Sequence, residues 1–176
     1  MYRMSKIPLI SSKEIQARIQ TLAKEISETF EFDIVLSVLT GACMFTTDLV
    51  RAMARPSLRI AFIKASSYGS GTTSCGKPSV TGLDRIEIKG KRVLLIDDIL
   101  DTGHTMNALA SILKEKGVAD LRTCVLLNKE GRRSVDIHAD FVGFEIENEF
   151  VVGYGLDFDD DYRTLPEIWT LEEVHP

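Results

Sequence analysis

The segment Asp97-Asp98-Ile99-Leu100-Asp101-Thr102-Gly103-His104-Thr105 gathers three carboxylates, two hydroxyls and one glycine within nine residues. A helix opening beyond Gly103 would turn unpaired N–H groups and the positive end of its dipole toward this loop, and Thr102 and Thr105 add hydroxyl donors. Together they suit a phosphate monoester. The adjacent acids Asp97 and Asp98 can accept hydrogen bonds from vicinal ribose hydroxyls or hold a hydrated Mg²⁺. An Asp at a helix start often merely caps it, but two acids among apolar residues, a third acid one turn on and a Gly/Thr loop exceed what capping requires. The spacing Gly-x-x-x-x-Gly-Lys-Ser/Thr is absent, as is Gly-x-Gly-x-x-Gly with a distal acid, which weighs against nucleoside-triphosphatase and dinucleotide readings.

These residues need a strand to carry the acids and a helix to receive the phosphate. The run Arg92-Val93-Leu94-Leu95-Ile96-Asp97 reads as the strand, and Thr105–Lys116 has helical periodicity before the stop at Gly117. Upstream, Ser11 to Glu14 fits a capping box, and Ile15, Ile19, Leu22, Ala23, Ile26 and Phe30 predict an amphipathic helix. Asp33–Leu39 predicts a buried strand ending at Thr40-Gly41, and a helix through Met44 to Met53 stops before Pro56. Leu58–Ala65, Leu121–Leu127, Phe141–Ile146 and Phe150–Tyr154 read as further strands. The stretch 66–83, rich in Ser, Thr and Gly, is expected to be a long loop with a functional role. Alternating strands and helices predict an α/β fold, a parallel sheet flanked by helices. Ligands in such sheets bind beyond the carboxyl ends of the strands, which is where the chemically dense segments fall.

The chain has 176 residues, about one domain at roughly 150 residues each. With 44% hydrophobic and 27% charged residues and a mean hydropathy of +0.03, it fits a soluble globular protein and not a disordered one. The 21 basic and 26 acidic side chains leave a net charge of −5, a poor match to non-specific nucleic-acid binding. Cys43, Cys75 and Cys124 are odd in number and lack Cys-x-x-Cys spacing, so neither a disulfide framework nor a zinc site is indicated. No apolar run approaches a membrane span and no secretory signal opens the chain, so a cytoplasmic location and no membrane partner are expected.

The segment Val93 to Thr105 resembles the 5-phosphoribosyl diphosphate (PRPP) binding motif of purine and pyrimidine phosphoribosyltransferases. Ser66-Ser67-Tyr68-Gly69, Asn128-Lys129 with Arg133-Ser134-Val135, and Phe141 to Ile146 leading to Phe150-Val151-Val152-Gly153-Tyr154-Gly155-Leu156-Asp157 with Arg163 narrow the likeness to the hypoxanthine/guanine branch. It runs from about residue 8 to residue 166. The resemblance implies the type I phosphoribosyltransferase fold, with a core over about 30–145 and a small hood from the N-terminal segment and about 146–176. It also implies purine salvage: transfer of the phosphoribosyl group from PRPP to hypoxanthine or guanine, giving IMP or GMP and pyrophosphate.

By that resemblance the loop Asp101, Thr102, Gly103, His104, Thr105 would hold the 5′-phosphate, and Asp97 and Asp98 the ribose hydroxyls or Mg²⁺. Asp101 would be the general base at purine N7. Lys129 would donate to the exocyclic O6, favouring 6-oxo over 6-amino purines. Phe150 would stack on the base, and the Val151 backbone would read its edge. Asp157 would hold a second Mg²⁺, and Arg163 would grip the pyrophosphate. Thr40-Gly41 corresponds to the pyrophosphate loop, often with a cis peptide between the residues matching Leu39 and Thr40, and Ser67 and Tyr68 would lie at the base of a closing lid.

The chain departs from common family usage at Thr40, where Lys or Arg is frequent, at Asp97, where Glu is common, and at His104, where Lys or Asn is frequent. Taken singly, Lys129 would be a surface lysine, Phe150 a core residue, and the acids 159–161 a solvated face. A homodimer or homotetramer is expected. The alternative is a non-catalytic regulator on the same fold that senses PRPP or nucleotide and binds RNA; it would want a basic face, which the net charge disfavours.

Overall fold

A computed structural model describes residues 2–66 and 79–173. The elements in chain order are β1 (Tyr2–Met4), α1 (Ser12–Thr29), β2 (Ile34–Leu39), α2 (Cys43–Met53), β3 (Arg59–Ser66), β4 (Ser79–Thr81), β5 (Arg92–Leu100), α3 (His104–Glu115), β6 (Asp120–Asn128), β7 (Phe141–Glu145), β8 (Val151–Val152) and β9 (Trp169–Glu173). Helix α1 starts where the sequence predicts. Ser11 Oγ accepts the Glu14 N–H at 3.3 Å, and Glu14 Oε2 accepts the Ser11 N–H at 2.9 Å, so two otherwise unpaired donors are satisfied reciprocally.

The six-stranded sheet has the order β4-β3-β2-β5-β6-β7, parallel throughout except for β4. The central strand β5 is sealed on both faces. Leu94 and Ile96 pack with Ile15, Ile19 and Leu22 of α1 and Phe45 and Leu49 of α2. Val93 and Leu95 pack on the other face with Met106, Leu109 and Leu113 of α3. All four β5 side chains are fully buried. Each such aliphatic group contributes about 1.5–3 kcal/mol relative to exposure, which is why an apolar run without alternation makes a strand here. The α/β architecture expected from the sequence, a mostly parallel sheet flanked by helices, is the one observed.

A second, three-stranded antiparallel sheet has the order β1-β9-β8, with Tyr2 opposite Glu173 and Val151 opposite Thr170. Just beyond β8, Tyr154 ties the chain to α2 and α1: its Oη donates to Asp48 Oδ2 at 2.6 Å, and Gln16 Nε2 donates to the same oxygen at 3.1 Å. Burial and this bond to Asp48 raise the Tyr154 phenol well above its usual range.

The expected elements need correction at four places. The stretch read as one loop over 66–83 contains β4 near its far end and runs directly into a 3-10 turn at Leu83–Arg85. Strand β5 runs on through Asp97 and Asp98 to Leu100, because Ile99 and Leu100 continue pairing with Leu127 and Asn128. The run 150–154 is strand only at Val151–Val152, since Gly153 and Tyr154 both take positive φ. Strands β1 and β9 were not predicted. Ser67, Tyr68 and Cys75 lie outside the described residues. Among those described, Cys43 and Cys124 are free thiols, and no helix is long and apolar enough to cross a membrane.

Candidate functional site

Beyond the carboxyl ends of β2, β5 and β6 lie two recesses. One, of about 330 Å³, is lined by Thr40, Gly41, Asp97, Asp98, Asp101, Thr102, Gly103, Thr105, Asp157 and Arg163 together with apolar neighbours. The other, of about 470 Å³, is lined by Lys129, Arg132, Asn148, Glu149, Phe150, Val151 and Leu156. Asp98, Ile99, Asp101 and Asp157 line both and form the wall between them.

The floor of the first recess is set by close backbone packing. Leu39-Thr40 is a cis peptide, and the chain turns there so that Gly41 meets β5. A Cβ on Gly41 would fall 1.5 Å from Asp98 Oδ2, and one on Gly155 would fall 2.1 Å from the Gly41 carbonyl oxygen. Gly155 also has φ +103°, a conformation other residues rarely adopt. Asp98 and Asp97 stay oriented through their own strand: Asp97 Oδ1 accepts the Asp98 N–H at 2.9 Å, and Asp98 Oδ1 accepts the Ile99 N–H at 2.7 Å. Burial, with Asp98 alongside, pushes the Asp97 carboxyl well above the usual carboxylate range. Burial also raises Asp98, opposed by the hydrogen bonds it accepts and by the Arg163 charge. Adjacent buried acids without a paired cation favour the protonated form, so a cation brought to them would be strongly welcomed.

The rim of this recess is the start of α3. Gly103, at φ +88°, occupies the cap position and brings no side-chain oxygen to the first N–H groups of the helix. On the opposite rim, Arg163 donates to the Gly155 carbonyl at 2.9 Å and pairs with Asp157 Oδ1 at 2.9 Å. The acidic stretch, expected to be mostly a solvated face apart from Asp157, also engages through Asp160. Asp160 donates its N–H to Asp157 Oδ2 at 3.0 Å, and its carboxylate lies 3.2 Å from Arg163.

In the second recess Lys129 is buried, only 5% exposed. Its N–H donates to the Leu100 carbonyl at 3.0 Å, which fixes the strand end that carries it beside the wall. Burial lowers the Lys129 ammonium from its usual range, and the Asp101 charge partly restores it. Phe150 stands at the margin, 48% exposed. Its ring meets Phe158 edge to face at 5.6 Å, and Tyr2 of β1 lies 4.7 Å from Phe158 on the far side. Val151 is buried in β8.

Asp101 has the most distinctive surroundings. Its Oδ1 is covered yet accepts no hydrogen bond among the described residues. Arg132 Nε lies 3.4 Å from that oxygen, within ion-pair range but without hydrogen-bond geometry. A shielded carboxylate oxygen without a donor, in the wall between two recesses, is suited to accept a proton from a ligand.

The structure thus brings all the predicted site residues in the described segments to these recesses, except His104. That side chain is exposed and meets Ser134 Oγ at 2.9 Å through Nε2. Sequence reasoning missed Arg132. Lys129 is itself extended and leads into a 3-10 turn at Glu130–Arg132, which returns Arg132 to the same recess. The available signal was the basic pair Arg132-Arg133 shortly after Lys129.

Residues 11–159 match the phosphoribosyl transferase domain family. The chain is 44% identical over 168 residues to the hypoxanthine-guanine phosphoribosyltransferase of Aquifex aeolicus, covering 94% of each. It is 41% identical over 176 residues to the Mycobacterium avium enzyme of the same name, covering 95% of this chain and 86% of that one. Its structure superposes on the hypoxanthine phosphoribosyltransferase of Trypanosoma cruzi, in a ternary substrates complex, with a TM-score of 0.88, 40% identity and 96% coverage of both chains. With the motif, the sheet order and the two recesses in agreement, the chain belongs to the phosphoribosyl transferase domain family.

Proposed function

We propose that this chain carries out purine salvage, transferring the 5-phosphoribosyl group of PRPP to hypoxanthine or guanine and giving IMP or GMP plus pyrophosphate. The observation that carries this reading is the covered Asp101 oxygen without a hydrogen bond, in the wall shared by a recess at the start of α3 and a recess holding Lys129 and Phe150. The chain's likeness to named hypoxanthine-guanine phosphoribosyltransferases supports the substrate class.

The 5′-phosphate sits on the start of α3, among the hydroxyls of Thr102 and Thr105 and the uncapped N–H groups. Asp97 and Asp98 take the ribose hydroxyls. Thr40-Gly41 and Arg163 face the diphosphate, Arg163 once its bond to Asp157 loosens. The base enters the second recess against Phe150, with its edge on the Val151 backbone and its O6 on Lys129. As the bond from C1′ to the diphosphate oxygen breaks, the diphosphate leaves with the electron pair. N9 then forms the new bond to C1′, while the N7 proton passes to Asp101. Lys129 stabilises the negative charge that grows on O6 as that proton departs. A 6-amino purine offers only donors where the ammonium also donates, so 6-oxo bases are preferred. The small sheet of β1, β8 and β9 serves as a hood behind the base.

The donor set suits Mg²⁺. Asp97 and Asp98 are neighbouring acids whose charged forms burial disfavours, and Asp157 adds a carboxylate across the recess. Mg²⁺ usually takes one or two protein carboxylates and completes its shell with water and substrate phosphates. When bound, it would neutralise the diphosphate charge.

Exposed Met44, Ile60 and Phe62 leave apolar surface available for a homodimer or homotetramer, measurable by sedimentation. The acids lining the cleft do not favour the RNA-binding alternative. The decisive experiment is incubation with PRPP, Mg²⁺ and each purine base in competition. Monophosphate from hypoxanthine or guanine is expected, and no turnover with any 6-oxopurine overturns the reading.

A further inference from the structure

We propose that Arg133 is a positioning residue that aims the backbone donors of the phosphate loop and holds that loop in register with the base recess. The inference rests on the reading that the loop at 101–105 receives the 5′-phosphate. Arg133 Nη1 donates to the Asp101 carbonyl at 2.7 Å. The neighbouring Thr102 carbonyl accepts the Ser134 N–H at 3.0 Å and Ser134 Oγ at 3.3 Å. Two successive carbonyls of the loop are thus held toward the 133–134 segment.

In a trans peptide the C=O and the following N–H point in opposite directions. Holding the Asp101 and Thr102 carbonyls on one side therefore turns the Thr102 and Gly103 N–H groups to the other. Neither of these N–H groups donates to a backbone or side-chain acceptor among the described residues. Both residues line the recess at the start of α3. The 133–137 segment also fits closely behind the loop: a Cβ on Gly103 would come within 2.7 Å of Ile137, 2.9 Å of Val135 and 3.1 Å of the Arg133 Cδ.

The second arm of the guanidinium reaches the base side. Arg133 Nη2 donates to Asn128 Oδ1, and Asn128 Nδ2 donates to Glu145 Oε2 at 2.8 Å. Asn128 directly precedes Lys129 at the end of β6. One planar fork thus bridges the strand end that presents Lys129 and the loop that presents the amides. Lysine cannot reproduce this bridge, because an ammonium on a flexible stem lacks two donors in fixed, divergent directions.

The test is Arg133→Lys, with Arg133→Gln beside it, read by calorimetric binding of Mg²⁺-PRPP and by steady-state kinetics. Loss of a charge-assisted bond that orients donors should weaken PRPP binding on the order of tenfold and lower kcat. The KM for hypoxanthine should rise less than the PRPP affinity falls, because Arg133 holds the loop directly but reaches the Lys129 strand end only through Asn128, which Glu145 also holds. Thermal midpoints of both variants report folding independently of these readouts. Wild-type PRPP affinity in Arg133→Lys overturns the proposal, as does a loss shared equally by PRPP and base. The underlying reading fails separately. If Thr105→Val binds PRPP as well as the wild type, the loop is not the phosphate site. If Thr105→Val weakens binding and Arg133→Lys does not, only the role of Arg133 is lost.

Discussion

The two ends of strand β5 carry charge in opposite ways. At its start, Arg92 donates its backbone N–H to Asp33 Oδ2 at 2.8 Å and places its guanidinium 3.1 Å from Asp33 Oδ1 and 2.8 Å from Glu31. These contacts hold the Asp33 carboxyl at about 2, well below the usual carboxylate range. At its far end, Asp97 and Asp98 lie side by side, raised by burial, offset in part by backbone N–H donors and by the Arg163 charge but ion-paired with no cation among the described residues. One end has every charge matched and the other holds acids that its own residues do not neutralise. Matched charges serve the fold. Unmatched ones are tolerated where a ligand completes the set.

The largest expected break in this contrast comes from Asp101→Asn, which keeps the shape of the wall but removes the proton acceptor. It should lower kcat by roughly 10²–10⁴-fold while PRPP affinity changes little. Equal losses in rate and PRPP affinity would make Asp101 a binding residue. Next, Lys129→Gln should reduce kcat/KM for 6-oxopurines by roughly 10- to 100-fold, the value of a hydrogen bond from a charged donor, and narrow the preference over adenine. Unchanged selectivity would remove Lys129 from base recognition.

A smaller effect follows from pH. Because Asp97 and Asp98 have raised pKa values, protons compete with the cation that accompanies PRPP. Affinity for Mg²⁺-PRPP should therefore strengthen as pH rises through the range above the ordinary carboxylate value of about 4, by at most about tenfold per unit for each proton released. Calorimetry in buffers of different ionisation enthalpy would show that release, and pH-independent binding would contradict it.

The smallest effect is expected at the other end of the strand. Asp33→Asn should lower the thermal midpoint at neutral pH by no more than about 2–4 °C, since the pair is partly solvent-screened, and should leave kcat unchanged. The sign follows from the depressed pKa. Asp33 contributes its full stabilisation above the unfolded value of 3.8 and loses it as pH falls toward about 2. The difference between variant and wild type should shrink over that interval, and a constant difference would mean the stabilisation is not ionic.

Much of the catalytic end was legible because it rests on local patterns. The apolar run of β5, the glycine before α3 and the capping box of α1 each act within a few residues, so sequence alone announces them. The end of β5 was misplaced since Asp97 and Asp98 resemble strand terminators, and only pairing of Ile99 and Leu100 with β6 carries the strand past them. Strands β1 and β9 were illegible for a similar reason: three- and five-residue segments with Leu171 as the one buried residue between them are strands only because they pair across the length of the chain. Buried Lys129 could be assigned only through resemblance, as composition alone places lysine at the surface. Arg133 was visible as a motif residue, but its use depends on an Asp101 carbonyl 32 positions away in sequence.

The glycine packing beneath the first recess has a consequence for how this chain can drift. The would-be Cβ atoms of Gly41 and Gly155 collide with a carboxylate and with a backbone carbonyl, respectively. No rotamer change relieves the second collision, and the first is relieved only by moving Asp98 itself. Random substitution at these two positions should return glycine almost exclusively from a selection for activity, while Gly131, with nothing within 4 Å of its would-be Cβ, should accept most side chains. The mutational tolerance of the chain is therefore set as much by two missing methyl groups as by the acids they accommodate.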